Sequence, residues 1–212
     1  MFVYIVIAVA AYLLGSIPTG YLVARARGID IRTVGSGNIG ATNVFRILGK
    51  PAGVFVLVAD GLKGFAACAW LADLMVQRFA VAPDKIECLK IVAGICAVLG
   101  HNFTCWLKFK GGKGIATSAG VYFALAPLAA GIALGTWVIV FALGRYVSVA
   151  SIAAAVALPA AVWLTKNNLF FGIVTTALGL LAIIKHRSNI QRLLNGTERR
   201  LGQKSETPEA TK

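Results

Sequence analysis

Six long apolar blocks, separated by short polar and basic segments, limit what this sequence can fold into. They cover positions 2–24, 53–76, 86–107, 115–143, 147–164 and 168–184. A transmembrane helix needs about 20 apolar residues, so a chain of 212 residues has no room for a separate soluble domain. The hydrophobic share of 58% also exceeds that of ordinary soluble domains. The sequence therefore predicts an all-α polytopic membrane protein, and excludes a disordered chain, a secreted disulfide scaffold and an ordinary cytosolic enzyme.

The longest block, 115–143, decides the predicted topology. Its 29 uncharged residues are too many for one simple span and few for two. A turn near 127–131 would divide it into helices of about 13 residues each, giving seven spans. The N-terminus is then outside and the C-terminus cytoplasmic, with sixteen Lys and Arg inside against three outside. An undivided block would distribute them nine against ten. Because Lys and Arg concentrate on the cytoplasmic side, we expect seven transmembrane helices.

The sequence predicts a transmembrane span at the N-terminal end of the chain and a surface helix with a disordered tail at the C-terminal end. Block 2–24 has no basic residue before it, unlike a cleaved signal peptide, so we expect it to remain as the first span. After the last block, Ile184, Ile190, Leu193 and Leu194 continue an apolar face while Arg192 points elsewhere, which predicts an amphipathic helix on the membrane surface. We expect one transmembrane domain over 1–201 and a disordered cytoplasmic tail over 202–212.

The net charge of +13 fits basic cytoplasmic loops better than nucleic-acid binding, which we do not expect. The four cysteines, at positions 68, 88, 96 and 105, lie in or beside apolar blocks without a Cys-x-x-Cys spacing. Neither a metal site nor a disulfide framework is predicted, and we expect no cofactor.

Three polar clusters fall on the predicted cytoplasmic face. The first, 35–43, combines three glycines with Ser and Asn side chains and is followed by Arg46. Such a backbone can direct N–H groups at an anion, and an Arg adds a bidentate phosphate donor. It predicts a phosphate or carboxylate cradle, the alternative being a glycine-rich turn between helices.

The second cluster, 108–117, places lysines and glycines at the start of a predicted helix, an arrangement suited to phosphate. It is not a Walker A loop, because Leu107 and Gly114 occupy two positions that this motif requires to be Gly and Ser or Thr. Nucleotide hydrolysis is therefore not expected.

The third cluster contains His186 and Asn189, which share a helical face, with Glu198 further on. A histidine there can orient a substrate or accept a proton. Inside the second predicted span, Asp60 and Lys63 are spaced to form an ion pair, and we expect them to satisfy each other.

Four ordered segments carry a resemblance to a known family: GSIPTG at 15–20, SGNIGATN at 36–43, FKGGKG at 109–114 and HRSNIQRL at 186–193. They resemble the bacterial acyl-phosphate:glycerol-3-phosphate acyltransferases, over all but about the last dozen residues. The resemblance implies a multi-pass enzyme of the bacterial plasma (inner) membrane with its active site facing the cytoplasm. It would transfer a fatty acyl group from acyl phosphate to the 1-hydroxyl of glycerol 3-phosphate. The product, 1-acyl-glycerol-3-phosphate (lysophosphatidic acid), is that of the first acylation in phospholipid biosynthesis.

The resemblance also implies roles for individual residues. The family's essential Ser and Arg fall on Ser36 and Arg46, its glycine-rich phosphate loop on 111–117, and its third-motif His and Asn on His186 and Asn189. We expect catalytic roles for Ser36, His186 and Asn189, and structural roles for Asp60, Lys63 and Glu198. The candidate substrate-binding residues are Asn38, Thr42, Asn43, Arg46, Gly111, Gly112, Lys113, Gly114, Ser148 and Ser151. The expected partners are acyl phosphate, glycerol 3-phosphate and membrane lipids, with the chain active as a monomer.

The chemistry agrees with the resemblance. An acyl phosphate is a mixed anhydride with a good leaving group, so catalysis can rest on positioning and charge stabilisation without a protein nucleophile. The proton acceptor is either His186 or a substrate phosphate oxygen. A soluble-type His–Asp pair is excluded, because Trp106 and Gln191 occupy the fifth positions after His101 and His186. The alternative function is a membrane transporter of a phosphorylated metabolite, for which we would expect a midplane site between repeats; no repeat is evident.

Overall fold

The computed structural model describes residues 1–202, in which every regular element is helical, as predicted. A π-helical turn, Ala67–Leu71, joins two of the helices, and a 3₁₀ turn covers Cys105–Leu107. The expected disordered tail lies outside the described residues from position 203 onward. The helices are α1 (Phe2–Ser16), α2 (Thr19–Arg25), α3 (Ala41–Leu48), α4 (Lys50–Ala66), α5 (Ala72–Phe79), α6 (Pro83–Asn102), α7 (Ile115–Leu125), α8 (Pro127–Gly144), α9 (Val147–Thr165), α10 (Leu169–Lys185) and α11 (Arg187–Leu194).

Helix length limits how many segments can span a bilayer. The helical pair α10 and α11, bent by 51°, gives a sixth candidate span if taken together. The apolar helix α7 has 11 residues, or about 17 Å at 1.5 Å per residue, against a hydrocarbon core of about 30 Å. Seven spans and their orientation therefore stay a prediction. Five segments are long and apolar enough by themselves: Phe2–Arg25, Lys50–Phe79, Pro83–Leu107, Pro127–Gly144 and Val147–Thr165.

The uncharged block divides at Ala126, close to the predicted turn, but the two helices are unequal. α7 has 11 residues and α8 has 18, not about 13 each. Pro127 explains the break, because its ring disfavours helical backbone at the preceding residue, and Ala126 has a φ of −148°. Proline tolerates the first position of the new helix, where its missing N–H has no partner to lose.

Small residues let the helices approach closely. A Cβ added at Gly15 of α1 would overlap the Ala97 carbonyl of α6, and one at Gly120 of α7 would overlap the Gly61 carbonyl of α4. Close approach at small residues is the usual mode of helix packing in membranes. The outside of the bundle is apolar, with Leu143 85% and Leu164 87% exposed, as suits lipid rather than water.

A buried polar cluster ties three helices together beneath the loops that follow α2 and α6. Lys63 Nζ lies 2.9 Å from Asp60 Oδ1, which confirms the predicted pair. Thr19 at the start of α2 donates to the same oxygen at 3.1 Å, and Nδ1 of His101 on α6 lies 3.7 Å from it. Lys63 also donates to the Ile17 carbonyl at 2.9 Å, where the chain passes from α1 to α2. These contacts hold the start of α2 and the end of α6 against α4.

Candidate active site

The three polar clusters converge on one pocket of about 120 Å³. It is formed by the loop before α3, the loop before α7, and the junction of α10 with α11. The lining residues are Ser36, Gly37, Asn38, Lys113, Lys185, Ser188 and Arg192.

The loop before α3 is held by Asn43, which is 2% exposed. Its Oδ1 accepts from the Ser36 backbone N–H at 2.9 Å, and its Nδ2 donates to the carbonyls of Ile31 and Val34 at 3.2 and 3.1 Å. Asn43 thus presents Ser36 at the rim of the pocket, and its contact with substrate stays a prediction. Asn38 lines the pocket and caps its own turn, accepting from the Gly40 N–H at 2.8 Å.

The glycines of the second loop serve close packing against the end of α6. Gly111 and Gly112 donate their N–H groups to the carbonyls of Asn102 and His101 at 3.2 and 3.0 Å. A Cβ at Gly112 would overlap the His101 ring. These two donors are therefore engaged within the protein, and substrate binding by Gly111, Gly112 and Gly114 stays a prediction. Gly114, at φ +81°, makes the left-handed turn into α7.

Lys113 is the basic side chain that this loop delivers into the pocket. Its ammonium donates to Asn189 Oδ1 of α11. Burial lowers the pKa of Lys113 to about 8; the charge of Glu198 opposes this shift, and Arg192 and Arg46 add to it. The residue is thus protonated, and able to bind phosphate, at neutral pH.

His186 lies where α10 ends and α11 begins, and it is 3% exposed. Its Nδ1 lies 2.8 Å from the Ala182 carbonyl. A carbonyl only accepts, so Nδ1 carries the proton and Nε2 is left as an acceptor. Burial, with the nearby Lys113 charge, lowers the pKa of His186 to about 4, so the ring is neutral at pH 7.

Glu198, which is 8% exposed, links α9 to α11 through its side-chain hydrogen bonds. Its Oε1 accepts from Asn189 Nδ2 at 2.6 Å and from Ser148 Oγ of α9 at 2.7 Å, while its Oε2 accepts from Arg192 Nε at 2.7 Å. Burial alone would raise the pKa of this carboxyl, but the three hydrogen bonds and the Arg192 charge lower it.

The remaining predicted site residues do not line the pocket. Arg46 donates to the Arg199 carbonyl at 3.0 Å, so the segment after α11 contacts α3. Ser151 donates to the Val147 carbonyl at 2.7 Å and accepts from Trp137 Nε1 of α8 at 3.2 Å. Thr42 is half-buried in the first turn of α3. Substrate binding by Arg46, Thr42, Ser148 and Ser151 stays a prediction.

Comparison with known proteins identifies the family to which this chain belongs. A model described as Glycerol-3-phosphate acyltransferase matches residues 5–196. Glycerol-3-phosphate acyltransferase of Geotalea daltonii is 46% identical over 92% of this chain and 95% of that protein. The protein of the same name from Clostridioides difficile is 45% identical over 97% and 99%. The chain belongs to the glycerol-3-phosphate acyltransferase family.

Solved structures of the family share the fold of this acyltransferase family member. The crystal structure of PlsY (YgiH), an integral membrane glycerol 3-phosphate acyltransferase, in its glycerol 3-phosphate form has a TM-score of 0.84 and 40% identity, covering 94% of this chain and 96% of that one. The lysophosphatidic acid form has a TM-score of 0.80 and 39% identity, covering 94% and 95%. With its apolar outer surface, this family member is a membrane protein.

Three residues that line the pocket were not predicted from the sequence as site residues: Lys185, Ser188 and Arg192. Arg192 was expected to point away, but it turns to Glu198 and the pocket. Their spacing of three and four was the available signal, because residues so spaced share one helical face. The apolar residues of this helix predict a membrane-facing surface, and that prediction placed Arg192 away from the site.

A second, apolar groove of about 370 Å³ lies at the end of the first helical segment of this acyltransferase family member. Its lining residues are Ile17, Pro18, Tyr21, Leu22, Trp106 and Leu107. Over residues 1–202 there is no group of three or more His, Cys, Asp and Glu side chains arranged to hold a metal ion.

Proposed function

We propose that this protein transfers a fatty acyl group from acyl phosphate to the 1-hydroxyl of glycerol 3-phosphate, releasing 1-acyl-glycerol-3-phosphate and inorganic phosphate. The observation that carries this proposal is the polar pocket that gathers Ser36, Lys113 and Arg192 from three distant parts of an acyltransferase-family chain. Both substrates are phosphate esters or anhydrides, and a pocket rich in cations suits them.

The reaction needs positioning more than it needs a protein nucleophile. The 1-hydroxyl oxygen attacks the acyl carbon, the bond from that carbon to the phosphate oxygen breaks, and phosphate leaves with the electron pair. Lys113 and Arg46 each neutralise one substrate phosphate, and one of them thereby stabilises the charge that develops on the leaving group. The Ser36 hydroxyl at the rim orients the acceptor.

The hydroxyl proton has two possible acceptors, and the site favours the phosphate. A histidine with a pKa of about 4 is a weak base at neutral pH, whereas a phosphate ester has its second pKa near 6. His186 Nε2 accordingly accepts a hydrogen bond that orients the hydroxyl, and a substrate phosphate oxygen takes the proton. Asn189 positions the Lys113 ammonium through its side-chain carbonyl.

The acyl chain requires an apolar surface, and the groove formed by Tyr21, Trp106 and their neighbours offers one. We assign the groove to the acyl chain and the pocket to the phosphates. Orientation follows from the sixteen-to-three charge distribution: seven spans in the bacterial plasma membrane with the site facing the cytoplasm, acting as a monomer. Placement of the pocket in loops and helix ends, rather than between repeats at the midplane, favours the enzyme over a transporter.

The test is acyl transfer by the purified full chain in lipid, with palmitoyl phosphate and glycerol 3-phosphate as substrates and lysophosphatidic acid measured by mass spectrometry. Palmitoyl-CoA is the parallel donor, and Lys113→Met is the control for contaminating activity. Product from the acyl phosphate alone is expected. Product only from the CoA ester would refute the donor, and no product from either would refute the function.

A further inference from the structure

The pocket contains more positive charge than the predicted site residues supply. Lys185, the last residue of α10, and Arg192 of α11 line it together with Lys113. Ser188 lies between them in sequence, three residues after Lys185 and four before Arg192, and it also lines the pocket. The end of α10 and the following α11 thus contribute two cations and a hydroxyl to the pocket.

The Lys185 ammonium is held in place before any ligand arrives. Its Nζ donates to the Asn102 carbonyl at 2.9 Å and lies 4.2 Å from the centre of the Phe103 ring. An ammonium has three N–H donors, so one bond to a carbonyl leaves it capable of binding an anion. Holding the side chain in advance reduces the entropy lost when a ligand binds.

The net charge of the pocket indicates what kind of anion it can bind. Arg192 is paired with Glu198 at 2.7 Å, and Asn189, which accepts from Lys113, is neutral. The pocket therefore keeps an excess of about two positive charges, from Lys113 and Lys185. A phosphate monoester or inorganic phosphate carries about −1.5 to −2 at pH 7.

We propose that Lys185, with Ser188 and Arg192, forms a subsite for one phosphate group opposite Lys113. The proposal rests on the proposed function in taking that phosphate from a substrate, either glycerol 3-phosphate or the acyl phosphate. Arg46, which binds the Arg199 carbonyl outside the pocket lining, then serves the second phosphate. The competing role for Lys185 is mechanical, since its bond to Asn102 also links α10 to α6.

Binding of inorganic phosphate, followed by phosphorus NMR or calorimetry on the purified full chain, tests the subsite without any turnover. Lys185→Gln keeps a donor for Asn102 but removes the charge, and Lys185→Met removes both. Arg187→Met is the matched control, because Arg187 is exposed and adjacent but does not line the pocket. We expect phosphate to bind about tenfold more weakly to both Lys185 variants, as for loss of a charge-assisted hydrogen bond, and within about twofold of wild type to the control. Ser188→Ala, at an exposed position, provides a smaller loss if the Lys185 variants fail to fold.

Steady-state kinetics then identify the source of the phosphate. A rise in KM for glycerol 3-phosphate alone assigns the subsite to the acceptor, and a rise for the acyl phosphate alone assigns it to the donor. Unchanged phosphate affinity and unchanged KM for both substrates, with a lower Tm, would overturn the proposal in favour of the mechanical role. Wild-type protein that binds phosphate through Lys185 but makes no lysophosphatidic acid would refute the proposed function and leave the subsite standing.

Discussion

The side-chain amide of Asn189 and the carboxylate of Glu198 are joined by an N–H···O bond of 2.6 Å. This bond fixes the orientation of the amide, because the carboxylate only accepts and so requires Nδ2 to face it. Oδ1 then faces the other way, toward the Lys113 ammonium. Glu198 thereby sets the position of a cation that it does not itself touch.

Replacing Glu198 by Gln should impair both stability and turnover. The variant loses the charge-assisted bonds to Arg192 and Asn189, and such bonds contribute about 1.5–3 kcal/mol each. We expect a lower Tm in detergent and kcat/KM reduced by about tenfold or more. Ser148→Ala, which removes one neutral donor from the same carboxylate, should cost about 1 kcal/mol. Equal Tm values for wild type and Glu198→Gln would contradict this account.

The activity should fall as the pH rises through about 8, the pKa of Lys113. Because burial disfavours the charged form, the ammonium becomes a neutral amine above that pH and loses its attraction for phosphate. The kcat/KM profile reports the pKa values of the free enzyme, so it is the profile to measure. Lys113→Arg, which stays protonated, should lack the fall near pH 8 whatever its absolute activity. The same alkaline limb in both proteins would assign the titration to another group.

Gly112→Ala should disable the loop that delivers Lys113. The added Cβ would overlap the His101 ring, which is buried against Asp60 and cannot yield. Gly131→Ala is the matched control, since no atom lies within 4 Å of a Cβ at that helical position. We expect about a tenfold or greater loss of kcat for the first variant and none for the second, as expected for misplacement of a catalytic group. Wild-type kcat in Gly112→Ala would show that the loop tolerates displacement.

Asp60→Asn should destabilise the bundle strongly, because it leaves Lys63 buried without a counter-charge. Breaking one side of a buried ion pair costs about 3–5 kcal/mol. Adding Lys63→Met should restore part of the lost stability, because the double variant removes both charges. Thermal unfolding of the wild type, both single variants and the double variant gives the coupling free energy. A double variant less stable than Asp60→Asn would refute the pairing as the source of the effect.

The apolar blocks and the charge pattern were enough to predict an all-helical chain and the Asp60–Lys63 pair. Apolar blocks have few alternatives in a bilayer, and Pro127 disfavours helical backbone at Ala126, where the longest block divides. The three polar clusters, each of which combines glycines or helix ends with polar side chains, all contribute residues to one pocket. Exact helix lengths were not predictable, since packing against neighbouring helices sets them.

The role of each residue within a cluster depends on the tertiary structure and could not be predicted from the sequence. Asn43 looks like a ligand-binding amide in sequence, yet its polar atoms hold the loop that contains Ser36. Gly112 looks like part of an anion cradle, yet its lack of a side chain serves the contact with His101. Lys185 looked like an ordinary basic residue at the end of a span. Sequence identifies residue types suited to phosphate, but only the tertiary fold decides which of them face the same space.

The hydrogen bond between Arg46 and the Arg199 carbonyl connects positions 153 residues apart. Together with the ties from Glu198 to α9 and α11, it means that the last described turn of the chain closes a site begun in its first quarter. A ribosome inserting this protein into the bilayer therefore completes this site only after residue 199 has been synthesised. Until the carbonyl of Arg199 reaches Arg46 on α3, the nascent chain lacks the contact that completes the site.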